Sequence, residues 1–568
     1  MLLDWVISIL VFLVIGSVSG LPLALRLRVS PAEKLCAAIA FSIGIAYVCG
    51  FACFLAGLSP AWACLAVPVT AVAFIGQGPA LREFRADPEV RSLLGVWPWL
   101  ACWGLALLGV IRCYSGGNLV GDWLEHYQRA FYFCGTLPAD YKFIGMYSLP
   151  ARPPLTNVVT AVLLKSTRFD FAHYQLFMTL EGSLCWFPVG LLALRLAPKG
   201  RRMLWLLALL LAANALFDEN LVYSWTKLQS GFFVLCGLAF YLEGRATGSF
   251  TRCQLAFVCL SLGALSHYSA AVYLVVLGVI FLAEQQRAHP PFGALGWRWS
   301  VLVAENVALY ATWFPWSIHA FGSGTTYSSN TTVSSYLVRT PSKIAHDFLV
   351  NLYYTSVPHF MRGGSDDFIA TTGRWGPLRD FFFFAYQQEI PLLAGLGGLI
   401  ILVGLAARRA RCPASYFWPA FLGGVLFLGI LVNDLVNVWG YAHICLQPVA
   451  YLAVALVAAR WSDLPRPWRA LAAAGYCLDL LAGVVLPFCL QSVDLIGLVH
   501  SQGYTAERIA QNYGTAGALN LLSKNNLHLR FFADDSGIPV VVSATVAAAL
   551  LGIGLLMVLR GSSGNASA

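Results

Sequence analysis

Two carboxylates stand three residues apart in the run from Gly121 to Tyr127, which reads G-D-W-L-E-H-Y. On a helix, Asp122 and Glu125 would face the same side, with His126 beside them. A carboxylate held among aromatic rings can act as a general base and take the proton of a hydroxyl group. Asp122 could equally serve only to cap the helix that follows it, and the sequence leaves both roles open.

Cationic or imidazole side chains occur at three other points. Arg152 stands directly before Pro153-Pro154, Lys227 ends the run Y-S-W-T-K, and His267 lies in S-H-Y-S. Lys227 is expected about one turn inside an apolar helix, where an ammonium without a partner is costly. A phosphate group would be a suitable partner, since arginine offers it a bidentate fork and lysine a point charge. The alternative is that these side chains only snorkel toward the membrane surface.

The triplet Asp218-Glu219-Asn220 separates two apolar runs. We expect it to fill a short turn, where charged residues are usually solvated or anchor the ends of membrane spans. Adjacent carboxylate and amide oxygens also suit a hard cation, so Asp218 and Glu219 are candidate ligands for Mg²⁺ or Mn²⁺. No cofactor is certain from the sequence.

Two further acids, Glu181 and Asp479, lie inside apolar runs. Acids at such positions can form an ion or proton path, as in a transporter, or can bridge two helices. No chain of ionisable residues accompanies either acid along its helix. The bridging role is therefore the preferred interpretation.

The surrounding composition is that of a membrane protein. The chain has 568 residues, of which 58% are hydrophobic and 11% charged, and its mean hydropathy is +0.70. Soluble domains carry about 25% charged residues, so a soluble enzyme, a disordered protein and a coiled coil are excluded. About 13–15 runs are long and apolar enough to suggest transmembrane helices. The sequence predicts an all-α, polytopic helical membrane protein with long extracytoplasmic loops.

The net charge of +9 reports membrane topology and does not indicate a nucleic-acid partner. Most Lys and Arg residues lie in short loops between apolar runs, and the positive-inside rule assigns these loops to the cytoplasm. Three long polar segments then fall on the extracytoplasmic face: 113–170, 321–390 and 491–538. The apolar stretch 155–164 is too short to span and is expected to lie in the membrane interface.

The predicted organisation follows this topology. Residues 1–93 form an N-terminal bundle of about three transmembrane helices, and residues 94–320 a catalytic core that includes the loop 113–170. Residues 321–390 form a second extracytoplasmic loop. Residues 391–568 contribute the C-terminal helices and the segment 491–538.

In their order and shared face, these features resemble the polytopic glycosyltransferases of the GT-C fold, in particular the RgtA/B/C/D-like and protein O-mannosyltransferase-like groups. The features are Gly121-Asp122 in a long loop, R-P-P-L at 152–155, the acidic triplet at 218–220, and the Y-S-W-T-K and S-H-Y-S runs. The resemblance covers about residues 94–320. Two departures are the separation of Asp122 from Glu125 by Trp123 and Leu124, and the three spans that precede the expected start of the fold.

The resemblance implies a role for each candidate residue. Asp122 would be the catalytic base, with Glu125 as the second acid, and Asp218 and Glu219 would match an acidic motif that holds a divalent metal in some members. The remaining candidates would bind the substrate or the lipid phosphate: Arg152, Lys227, His267, Tyr268 and His126.

The function expected from these residues is membrane glycosyl transfer. A polyprenyl-phosphate-linked sugar would be moved, with inversion, to a glycan, lipid or protein acceptor in cell-envelope glycan or glycolipid synthesis. The expected location is a bacterial inner membrane, among membrane lipids, with the active site on the extracytoplasmic face. The alternative is a lipid or glycan transporter or flippase that uses Glu181 and Asp479.

Overall fold

The computed structural model describes residues 2–112, 114, 122–144, 147–197, 201–287, 292–329, 340–362, 375–408, 416–432, 445–492 and 531–563. These ranges are helical nearly throughout, and their single β-bridge joins Phe143 to Tyr147. The expected all-α, polytopic membrane architecture is confirmed.

The α-helices of the first half carry most of the candidate residues. They are Leu2–Leu13, Leu21–Ala24, Pro31–Leu55, Ala66–Val72, Gly78–Ala86, Pro88–Leu108, Asp122–Phe133, Leu155–Ser166, Phe171–Ser183, Trp186–Leu196, Arg201–Ala212, Ala215–Val222, Lys227–Thr247, Phe250–Ser266 and Ala271–Arg287. Single 3₁₀ turns cover Pro60–Leu65, Leu149–Ala151 and Tyr268–Ala270, and a π-helical stretch covers Val14–Val18.

The second half continues the same pattern with shorter elements. Its α-helices are Phe292–Ala311, Phe314–Ser328, Pro341–Ser356, Gly376–Gln387, Gly395–Ala407, Phe417–Leu431, Gln447–Arg460, Arg466–Leu478, Leu486–Ser492, Phe532–Asp535 and Val540–Ser563. The 3₁₀ turns are His359–Met361, Ile390–Leu392 and Trp461–Asp463, and Asp479–Val485 is π-helical.

Seven helical segments of the described chain are long and apolar enough to cross a membrane. They are Leu3–Ala24, Pro31–Leu55, Pro88–Leu108, Phe171–Leu196, Tyr268–Arg287, Arg466–Ser492 and Val540–Leu559. An eighth is possible if Arg202–Ala212 and Ala215–Val222, which are bent by 74°, form one broken span. The segment Phe171–Leu196 is buried over the whole of its apolar window, so it lies at the centre of the bundle.

The N-terminal helices pack directly on this core. Gly50 of Pro31–Leu55 lies so close to Leu155–Ser166 that an added Cβ would stand 2.6 Å from Val162. The Tyr47 hydroxyl also lies 2.8 Å from that of Thr312, well beyond the N-terminal region. The division of the chain into domains stays a prediction.

The helix Leu155–Ser166 has no face open to lipid. All side chains from Leu155 to Leu164 are buried, so no lipid-facing side remains. Its polar residues bond to other helices, as when the Thr156 hydroxyl bonds to Gln229 and lies 2.8 Å from the Ser266 hydroxyl. The prediction of a helix with its apolar face in lipid was wrong, because a short apolar run suits a protein core as well as a membrane surface.

The acidic triplet lies within the helix Ala215–Val222 and does not form a turn. This helix begins where the Asn214 side chain accepts a hydrogen bond from the Phe217 amide. It ends before Ser224, whose φ of 63° is left-handed and breaks the helix. The next helix starts at Lys227, so this lysine stands at the helix N-terminus and not one turn inside.

The break at Ser266–His267 divides two separate helices. His267 has extended backbone angles of −150° and 126°, and a 3₁₀ turn follows before Ala271–Arg287 begins. The imidazole therefore lies at the junction of two helices. Most of the third long polar segment, residues 493–530, lies outside the described residues.

We expect impermeant thiol reagents, applied to intact cells, to modify Ala139→Cys and to spare Ala86→Cys. The positive-inside rule assigns the loop with Ala139 to the outside and the helix Gly78–Ala86 to the cytoplasm. Both alanines are exposed, which makes them a matched pair of small substitutions. Labelling of Ala86→Cys in intact cells and not of Ala139→Cys would invert the topology; permeabilised cells provide the control in which both are labelled.

Candidate active site

Four ionisable residues lie on one side of the helix Asp122–Phe133. Asp122, Glu125, His126 and Arg129 follow spacings of three and four residues, which place side chains on one face. The expectation that Asp122 and Glu125 share a helix face is confirmed.

Glu125 is fixed in a buried network of charges. Its Oε1 accepts a hydrogen bond from Arg129 Nε at 2.9 Å and lies 2.7 Å from Arg129 Nη2, and its Oε2 lies 3.3 Å from Arg152 Nη2. The side chains of Glu125 and Arg129 are both fully buried. Burial alone would raise the pKa of Glu125, but Arg152 and Arg129 outweigh it and lower that pKa. Glu125 is therefore ionised, and its oxygens are engaged by the two guanidinium groups.

Asp122 has a different environment. Its side chain is 27% exposed, and Oδ1 lies 4.0 Å from Arg152 Nη2, beyond hydrogen-bond distance. Burial and Glu125 raise the pKa of Asp122, with Arg152 and Lys227 acting in the opposite direction. No backbone amide of the described helix donates to this carboxylate, as a cap would require. A carboxylate that is accessible, uncommitted and raised in pKa has the properties of a general base.

Arg129 was not singled out in the sequence, although its spacing of four from Glu125 is typical of a helical ion pair. It also donates to the Leu149 carbonyl at 2.5 Å and the Ser148 carbonyl at 3.1 Å. Its guanidinium carbon lies 4.4 Å from the centre of the Phe143 ring. Arg129 thereby ties the acidic helix to the backbone that leads to Arg152.

Arg152 extends from the chain that follows the 3₁₀ turn Leu149–Ala151. Its guanidinium carbon lies 5.1 Å from the centre of the Tyr147 ring, and its side chain is 18% exposed. Although burial lowers its pKa, Glu125 and Asp122 raise it above the ordinary value, so Arg152 stays charged. The Tyr268 hydroxyl donates to the Pro150 carbonyl at 3.1 Å and so joins this segment to the following helices.

Lys227 and His267 come to the same place from distant parts of the sequence. Lys227 lies within electrostatic range of Asp122 and Arg152, and His267 within range of Lys227, Arg152 and His126. The predicted convergence of these helix ends is therefore observed in the structure.

Among the cations of this site, Lys227 has no described hydrogen bond or ion pair. Its Nζ lies 3.2 Å from the centre of the Trp225 ring, an arrangement that stabilises the charge but supplies no hydrogen-bond acceptor. Its residue is 9% exposed. No described residue accepts a hydrogen bond from this ammonium, so its donors are available to a ligand.

The two imidazoles are oriented by their neighbours. The Nδ1 of His267 accepts from the Ser269 amide at 3.3 Å, which leaves the proton of the neutral ring on Nε2. The Nδ1 of His126 lies 3.2 Å from the Asn157 side-chain oxygen. Burial lowers the pKa of His126 to about 3, so this ring is uncharged at neutral pH.

With each acid and base counted at its ordinary charge and the imidazoles neutral, this charged cluster has one excess positive charge. Its carboxylates are Asp122 and Glu125, and its cations are Arg129, Arg152 and Lys227. An anionic group would neutralise that excess, and both Arg152 and Lys227 can donate hydrogen bonds to it. The site combines a free carboxylate with a position for an anion.

The acidic triplet is partnered inside the protein. Trp103 donates to Asp218 at 2.9 Å, Gln491 to Glu219 at 2.8 Å, and Asn220 donates to Gln387 at 2.8 Å. All three residues of the triplet are buried, contrary to the expected exposed turn. The described chain contains no group of three or more His, Cys, Asp or Glu residues able to hold a metal ion. Mg²⁺ or Mn²⁺ at Asp218 and Glu219 stays a prediction.

Glu181 and Asp479 both bridge helices, which confirms the preferred interpretation. Gln229 donates to Glu181 at 2.7 Å. Asp479 accepts from the backbone amides of Leu396 at 2.9 Å and Gly397 at 3.0 Å, at the start of Gly395–Ala407.

No family model matches the chain, and no curated protein does. Two solved structures are similar to it, both of ArnT from Cupriavidus metallidurans. The one bound to undecaprenyl phosphate is 15% identical with a TM-score of 0.42, covering 82% of this chain and 76% of that chain. The apo structure is 17% identical with a TM-score of 0.43, covering 83% and 78%.

Replacing Arg129 with Gln should destabilise the protein by about 3–5 kcal/mol, because it leaves Glu125 as a buried charge with one partner fewer. Thermal unfolding of the purified protein measures the change. Arg168→Gln is the control, since the Arg168 side chain, which pairs with Asp170, is 51% exposed. Equal melting temperatures for the two variants would contradict the anchoring role of Arg129.

Proposed function

We propose that this chain is an integral membrane glycosyltransferase that uses a sugar linked to a polyprenyl phosphate. The observation that carries the proposal is the uncommitted Asp122 carboxylate beside Arg152 and Lys227, at the ends of apolar helices. The lipid chain would remain in the bilayer while its phosphate reaches the two cations. The acceptor would be a hydroxyl group of a glycan, a lipid or a protein.

In the proposed reaction, Asp122 takes the proton of the acceptor hydroxyl as its oxygen attacks the anomeric carbon. The bond from that carbon to the phosphate oxygen breaks, and its electron pair leaves with the lipid phosphate. Attack opposite the leaving group inverts the configuration at the anomeric carbon.

Arg152 and Lys227 would stabilise the charge that develops on the departing phosphate. Arg152 has five N–H donors and can keep its contact with Glu125 while it binds an oxygen. Lys227 has no described acceptor to release. The Nε2 proton of His267 is a further donor. Tyr268 and His126 would act as positioning residues, Tyr268 through the Pro150 carbonyl and His126 through Asn157.

The charge pattern of the loops supports placing this reaction on the extracytoplasmic face of a bacterial inner membrane. A role in envelope glycan or glycolipid synthesis is part of the proposal. The transporter alternative relied on Glu181 and Asp479 as members of an ion or proton path. Both acids instead accept hydrogen bonds from neighbouring helices.

Asp122→Asn should reduce transfer by about 10²- to 10⁴-fold while the protein folds normally, because Asn keeps the shape of Asp and removes its basicity. The assay follows transfer from a panel of undecaprenyl-phosphate-linked hexoses and pentoses by the purified protein. In the wild type, kcat/KM should fall as the pH is lowered through the pKa of Asp122, because only the ionised carboxylate accepts a proton. Since burial raises that pKa, the fall should begin at a higher pH than for an ordinary aspartate.

Glu125→Gln is the companion variant. It should lower the melting temperature, because Arg129 then loses its buried counter-ion. Normal activity in Asp122→Asn, with transfer abolished in a folded Glu125→Gln protein, would transfer the role of base to Glu125. Full activity in both variants would remove the proposed mechanism.

Lys227→Met should weaken the binding of undecaprenyl phosphate by about tenfold or more, since a hydrogen bond to a charged group contributes about 1.5–3 kcal/mol. Methionine keeps an apolar stem beside Trp225. Lys165→Met is the matched control. Lys165 lies on a different helix, Leu155–Ser166, and its Nζ is also close to an aromatic ring, 4.7 Å from the centre of Phe169. Unchanged binding in Lys227→Met would show that this ammonium does not contact the phosphate.

A further inference from the structure

A second basic site lies at the opposite end of the helices that carry the charged cluster. Lys227 begins the helix Lys227–Thr247, and Arg245 stands near its end, 18 residues or roughly 27 Å further along. The next two helices run in alternating directions. Phe250–Ser266 ends at the charged cluster, and Ala271–Arg287 ends at the opposite side. The second site is thus about one bilayer thickness from Asp122.

At this end the helices enclose a pocket of about 300 Å³. Its lining includes three arginines, Arg245, Arg287 and Arg298, and one acid, Glu284. This volume is at the lower limit for small-molecule sites in proteins. The pocket lining contains two positive charges in excess.

The one acid of the pocket is already committed. Its Oε1 accepts from Arg245 Nε at 2.6 Å and from the Tyr416 hydroxyl at 2.7 Å, and its Oε2 from the Tyr241 hydroxyl at 3.0 Å. Glu284 therefore balances Arg245 and leaves the other two guanidinium groups without a carboxylate among the lining residues.

Arg287 and Arg298 are positioned by aromatic rings. The guanidinium carbon of Arg287 lies 4.7 Å from the centre of the Tyr416 ring, and that of Arg298 lies 5.7 Å from the centre of Phe250. Arg298 also donates to the Gln285 side chain at 3.1 Å. Stacking fixes the plane of a guanidinium group and leaves its edge donors free for a planar or tetrahedral anion.

We propose that this pocket, the arginine pocket, binds a phosphate group at the membrane surface opposite the candidate active site. Guanidinium groups bind phosphate oxygens bidentately, and basic pockets between membrane helices are suited to phospholipid headgroups. The exposed Tyr416 and the apolar helix faces beside the pocket would border the acyl chains of such a lipid. This site is independent of glycosyl transfer, because none of its residues belongs to the charged cluster.

The test uses the purified full-length protein in a neutral detergent, with native mass spectrometry to count bound ligand. The probes are dioctanoyl phosphatidylglycerol, dioctanoyl phosphatidylcholine and inorganic phosphate. We expect phosphatidylglycerol to bind the wild-type protein, and the double variant R287Q/R298Q to bind it at least tenfold more weakly. If inorganic phosphate competes with phosphatidylglycerol, the ligand is a soluble phosphate compound. If it does not compete, the ligand is a lipid headgroup.

The matched control is R82Q/R85Q, which removes the same charge from two exposed arginines expected on the same membrane face. Its binding should equal that of the wild type. Equal binding in R287Q/R298Q and the wild type, equal loss in the control, or no anion binding by the wild type would each overturn the proposal. If the double variant does not fold, the single variant Arg287→Gln decides, because the Arg287 side chain is exposed and its described contact is with the ring of the exposed Tyr416.

Discussion

The buried ion pair between Glu125 and Arg129 is the constraint on which the site depends. Both side chains are fully buried; Arg129 also donates to the backbone that leads to Arg152, and Glu125 also forms an ion pair with Arg152. Such a pair contributes little net stability, but removal of one partner is strongly destabilising. The pair fixes the distance between the helix Asp122–Phe133 and Arg152. At that distance, Asp122 has no described partner within hydrogen-bond range.

Much of this arrangement was predictable from the sequence. Asp122 and Glu125 have helical spacing, and Arg152, Lys227 and His267 stand where apolar runs end, so alternating helix directions bring them to one face of the membrane. Arg129 could also have been found from its spacing to Glu125. The contact of Lys227 with Trp225 could not, because it depends on the left-handed Ser224 that ends one helix before the next begins.

The elements that sequence reasoning misplaced share a physical cause. Hydropathy reports that a segment avoids water but not whether lipid or protein surrounds it. The helix Leu155–Ser166 was therefore assigned to the membrane interface, although other helices surround it. In the same way, the adjacent acids Asp218 and Glu219 predicted a solvated turn. They are buried because Trp103 and Gln491, which are distant in the sequence, donate hydrogen bonds to them.

The bundle places unbalanced positive charge at both ends of the same helices. At one end Arg129, Arg152 and Lys227 outnumber the carboxylates Asp122 and Glu125, and at the other Arg245, Arg287 and Arg298 outnumber Glu284. A membrane protein gains from uncompensated charge only where water or lipid phosphate can reach it, which is at the two headgroup layers. The helix that joins Lys227 to Arg245 spans roughly the thickness of the hydrocarbon layer, so each cationic site lies at the depth of one phosphate layer. The two sites differ in the carboxylate beside them: Glu284 is bound by three donors, whereas Asp122 is free to accept a proton.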